Sequence, residues 1–135
     1  MMCVNLKEEY LGELEQLIKN FKERADKLSK EDSRDEAILE TIKANIVDIF
    51  YKLFNVSYNK ACKNSYTEVE KFNKISELYI EFFNKIPAPW KEKMAMDKQH
   101  NMMEEYYKEQ IKLETAEDIK SIFIKHYNGL SKEAR

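Results

Sequence analysis

The stretch from Ala37 to Cys62 contains neither Gly nor Pro, and its polar residues Thr41, Asn45, Asp48, Lys52, Asn55 and Asn59 recur at alternating spacings of four and three. On an α-helix that spacing confines them to one narrow stripe. Nearly all the remaining circumference is apolar, so the helix has to be covered on several sides. The rest of the chain is therefore expected to supply helices packed around it. Two Gly and two Pro in 135 residues leave little of the turn chemistry that a sheet with several hairpins needs, and 43% hydrophobic residues suffice for one core.

The core seam of this central helix is predicted on Leu39, Ile42, Ile46, Ile49, Leu53 and Val56, with Ile38, Val47, Phe50, Tyr51 and Phe54 at its flanks. A bundle helix needs only about three positions in seven to face the core. The surplus predicts a further covering element, a second subunit or a ligand.

Upstream, Leu11, Leu14, Ile18, Phe21, Ala25 and Leu28 keep the same alternation and predict a helix over residues 5–29. Ser33 and Glu36 fit a capping box that opens a second helix over 34–62, and the short loop between the two predicts a hairpin. Ser65 and Glu68 fit another box ahead of a helix over 66–86, whose seam is Phe72, Ile75, Tyr79, Phe82 and Ile86. Pro87 ends it, and Pro89 suits the first residue of a fourth helix over 89–113, with Met96, His100, Met103, Tyr107 and Ile111 inward. Thr115 reads as the N-cap of a short fifth helix over 116–127, closed by Asn128 and Gly129, with 130–135 as a tail. The expected fold is all-α, one antiparallel up-and-down four-helix bundle with a short C-terminal fifth helix.

Charge narrows the function. With 23 basic against 25 acidic residues the net charge is −2, and Arg occurs only at Arg24, Arg34 and Arg135, so no basic field is available for nucleic acid. No apolar run reaches the roughly 18 residues of a membrane span, and the first residues lack a signal-peptide core. Cys3 and Cys62 form no disulfide framework. A cytoplasmic protein is expected.

No catalytic constellation or cofactor motif is legible. Three kinds of site remain as expectations. An interaction surface, for a second copy through the first or fourth helix or for another protein, centres on Trp90 at the proline corner and on the adaptable Met94, Met103, Tyr106 and Tyr107. An apolar small molecule could instead lie between the third, fourth and fifth helices, against Phe82, Phe83, Met103 and Tyr107. A metal could use Asp97, His100 and Glu104, spaced three and four apart on one helical face, with His126 as a fourth ligand. The favoured reading is a small helical protein that works by self-association or protein binding, not by catalysis.

Overall fold

The computed structural model describes residues 1–64 and 66–133. They form five helices: α1 (Met2–Lys30), α2 (Arg34–Cys62), α3 (Glu68–Lys85), α4 (Ala88–Gln99) and α5 (Met103–Glu133). Among the described residues there is no strand, and no helix is long and apolar enough to cross a membrane.

The first three helices lie close to their predicted spans; the last two do not. Residues 89–113 are not one helix, because the chain turns at His100, Asn101 and Met102. Asn101 adopts φ 56°, and the Met102 amide returns to the Asp97 carbonyl at 2.8 Å while the Asn101 amide reaches Lys98 at 3.2 Å. That pair of bonds is a Schellman motif, normally built on Gly but open to Asn. The same device ends α1, with Asp32 at φ 61° and the Ser33 amide on the Leu28 carbonyl at 2.8 Å.

The predicted fifth helix and much of the predicted tail belong to α5. Thr115 sits inside that helix, not at its start, with its hydroxyl donating to the Ile111 carbonyl at 2.8 Å. Asn128 and Gly129 are helical too, and Gly129 has no positive φ. Ser33 holds the N-cap position of α2 but makes no side-chain capping bond. Ser65 lies outside the described residues; the cap of α3 is Thr67, whose Oγ1 accepts the Glu70 amide at 3.2 Å. Glu68 instead ties down the start of α1, accepting the Cys3 amide at 2.9 Å and the Met1 ammonium at 3.1 Å.

Four helices each send a ring to one point in the core. Tyr10 of α1 lies 5.3 Å from Phe54 of α2, 5.8 Å from Tyr79 of α3 and 5.3 Å from Phe123 of α5, centroid to centroid, and all four are fully buried. The Tyr79 hydroxyl donates to the Phe50 carbonyl at 2.9 Å, which leaves Tyr10 to donate to the Tyr79 oxygen at 2.7 Å. Burial pushes both phenols above the ordinary tyrosine range.

Toward the other end the filling changes from rings to charges. Glu40 of α2 is buried, with Lys43 at 3.3 Å and Arg24 of α1 at 3.7 Å. Helix α4, which packs mainly on α5, is held there by Lys93 of α4, 3.2 Å from Asp97, 3.6 Å from Glu105 and 3.5 Å from the buried Glu109. One oxygen each of Glu40 and Glu109 is buried without a hydrogen-bond partner among the described residues.

Candidate interaction surface

The three expected sites fare differently once the helices are in place. Of the ligand pocket, Phe83 is core: it stacks on Phe50 at 4.3 Å and meets the edge of Tyr79 at 5.0 Å. Phe82 is half-buried against the same core, whereas Met103 and Tyr107 stand on the outside, 41% and 55% exposed. The expected cavity is therefore not assembled, since the break at Asn101 places Met103 at the start of α5.

The metal set is likewise dispersed. Asp97 is buried on Lys93, His100 is the exposed C-cap of α4, and Glu104 lies in the first turn of α5. His126 faces α1, with Nε2 3.2 Å from Glu13 and Nδ1 3.9 Å from Glu9. Among the described residues no three His, Cys, Asp or Glu side chains come together in a way that could hold a metal.

The proline-corner group divides. Trp90 is half-buried against the core with the Lys112 ammonium 5.9 Å over its ring, and Met94 is half-buried. Tyr106 meets Tyr107 edge to face at 5.7 Å. Tyr107 also lines an open cleft of about 250 Å³ with Asp35, Ile38 and Leu39 of α2. So one member of the predicted surface does join a second helix, and that helix is α2.

On α2 itself the predicted seam and the real core coincide only in part: Ile46 is buried, Leu39, Ile42 and Leu53 are half-buried, and Ile49 and Val56 are exposed. At 100° per residue, Val47, Phe50, Phe54 and Ala61 cluster about 120° around the helix from the aliphatic positions 38, 42, 49, 53 and 56. The first group is buried to 3% exposure or less; Ile38, Ile49 and Val56 are 46%, 36% and 42% exposed. Ile42 and Leu53, on the side of the aliphatic arc nearer the core, are half-buried. The seam read on Ile49 and Val56 is thus an outer face, and the flanks read on Val47, Phe50 and Phe54 are the interior.

A signal for this was present in the sequence. Ala37, Ala44 and Ala61 are buried, and small residues on a helix mark where backbones approach closely. Their arc points away from Ile38, Ile49 and Val56.

The outer face is chemically simple. Aliphatic side chains with no nucleophile or acid among them can exclude water from a partner surface; they cannot move a proton. Asp48 and Lys52 beside it neutralise each other at 2.8 Å. Comparison with protein-family models, with curated proteins and with solved structures finds no match to this chain.

Proposed function

We propose that this chain is an antiparallel up-and-down helical bundle that acts by associating with another protein surface, in the first place a second copy of itself, and not by catalysis. The observation that carries this reading is the row of exposed aliphatics Ile38, Ile49 and Val56 on one face of α2. Aligned aliphatics on a helix face are a recurrent docking feature, and two-fold self-pairing is the commonest way to cover one.

The antiparallel arrangement is supported by paired neighbours. His126 of α5 meets Glu13 of α1, while Ile111, earlier in α5, shares a cleft with Leu28 and Glu31, later in α1. Tyr127 donates to Asn73 near the start of α3, and Phe123 meets Tyr79 further along it. The free thiols, Cys3 buried and Cys62 half-buried, suit a reducing compartment such as the cytoplasm.

Sedimentation velocity across the micromolar range tests the self-association. The expected result is a species of about twice the 16.2 kDa chain mass; a monomer at every concentration overturns it.

A second reading has its own observation. Between α1, α2 and α5 runs a cleft of about 390 Å³ with Leu17, Phe21, Val47, Ile111, Ile119 and Ile122 along it and Lys43, Glu114 and Asp118 at its rim. Its size and lining suit a small amphipathic molecule. An environment-sensitive apolar dye that binds at one site per chain and is displaced by Ile119→Trp supports this reading; an unchanged dye signal in that variant removes it.

A further inference from the structure

We infer that the occupant of the α2 outer face is the α2 of a second copy, running antiparallel about a two-fold axis at Ile49. This rests on the self-association reading and adds to it a face, a direction and a register.

The stripe is nearly symmetric about Ile49. At 100° per residue, positions 35, 38, 42, 49, 53, 56 and 60 fall in one arc of about 60°. With Ile49 on the axis, Ile42 faces Val56 of the partner subunit, Ile38 faces Lys60 of the partner subunit, whose methylene stem can cover it, and Asp35 and Lys63 close the two ends. Asp35 stands at the amino end of the stripe and Lys60 and Lys63 at its carboxyl end, all three exposed. None of the three makes an ion pair among the described residues, whereas Asp48 and Lys52 alongside do.

Antiparallel pairing brings Asp35 opposite Lys63 of the partner subunit, and Lys60 one turn away. The same contact is made at both ends, because a two-fold interface repeats every pair. Parallel pairing would set Asp35 against its own equivalent and each lysine against its equivalent, with like charges at both ends. Head-to-tail helix dipoles favour the antiparallel choice as well. An unrelated partner would need its own complementary charges; a second copy already carries them.

The alternative faces are less free. On α1 the stripe is spent inside the bundle, with Leu6, Leu11, Leu14 and Ala25 buried. On α4 the exposed Met96 has no aliphatic row to join.

The test uses the full chain with Cys62→Ser, where the native thiol that remains, Cys3, is buried. Under mild oxidation Ile49→Cys is expected to give a disulfide dimer. Ile42→Cys and Val56→Cys chains are expected to cross-link when mixed and not when each is alone. Asp35→Lys or Lys63→Asp, both at exposed positions, should each lower the dimer fraction, and the double exchange should restore it.

A dimer that persists in Ile49→Glu, with no mixed 42–56 cross-link, overturns this face and leaves self-association standing. Cross-linking of Ile42→Cys alone overturns the antiparallel direction. Failure of the double charge exchange to restore the dimer overturns the register. A monomer at all concentrations overturns both this inference and the reading beneath it.

Discussion

Two faces of α2 have similar hydrophobicity and opposite fates. One carries Val47, Phe50, Phe54 and Ala61 and is buried; the other carries Ile38, Ile49 and Val56 and is open. The difference lies in what the neighbouring helices can fill. Tyr79 packs edge to face against Phe54 at 5.3 Å, and Tyr10 and Phe123 lie tilted against it at 5.3 and 6.2 Å. Edge-to-face ring pairs contribute about 0.5 to 1.5 kcal/mol beyond their buried area, so the rings take the interior and the aliphatic row is left outside.

The largest way to break the comparison is to remove a ring from the buried face. Phe54→Ala is expected to destabilise the monomer by about 3 to 5 kcal/mol through lost burial and the cavity it leaves. Denaturant titration at low protein concentration measures it, with an unchanged slope if the fold survives. A cost below about 1 kcal/mol would mean that Phe54 is not the centre of the core.

Tyr79→Phe keeps the ring and removes the hydroxyl, which isolates the hydrogen bonds from the packing. The Phe50 carbonyl and the Tyr10 hydroxyl then lose their partner in a buried site. About 1 to 3 kcal/mol is expected. The same pair predicts a pH dependence. Burial raises both phenols, so the unfolded chain releases these protons first as pH rises. Their stabilisation is complete below the ordinary tyrosine range near pH 10 and declines above it. Alkaline unfolding should therefore move to higher pH in Tyr79→Phe relative to its own neutral stability.

Next in size is the turn that separates α4 from α5. Asn101 holds φ 56°, a region that costs most residues with a Cβ about 1 to 2 kcal/mol. Asn101→Ala should lose about that much, while Asn101→Gly should keep it or gain slightly. Hydrogen exchange locates the effect: faster exchange in the Ala variant is expected in α4, where Lys93 bridges to α5, and not around Tyr79. Equal losses in both variants would show that the Asn side chain, not its backbone conformation, holds the turn.

Much of this was legible in the residues, and the parts that were not have definite causes. The spans of α1 and α2 follow from periodicity, from the absence of Gly and Pro, and from the polar loop between them. The break at Asn101 has no Gly or Pro to mark it, because Asn can also hold the left-handed residue of a Schellman turn. Thr115 resembled a cap because a threonine inside a helix can satisfy its hydroxyl on the preceding turn, as it does here on Ile111. His100 and Glu104 share a face only if the helix is continuous through Asn101, so the metal set and the Met103 pocket were lost with that one turn. On α2 the heptad of aliphatics was real, but periodicity marks a stripe and not what the stripe faces. Only the buried alanines at 37, 44 and 61 mark the inward side of α2 in the sequence.

The smallest expected effect sharpens the comparison most. Val56 lies two residues from Phe54 and is 42% exposed, whereas Phe54 is fully buried. Val56→Lys replaces a β-branched residue by a better helix former on an open face. Monomer stability, measured by denaturant at concentrations too low for association, should change by no more than about 0.5 kcal/mol. Selection for folding alone gives a valine no advantage at such a position. If instead Val56→Lys costs the monomer several kcal/mol, position 56 belongs to the core, the two faces of α2 are not distinct, and the aliphatic row needs no partner to account for it.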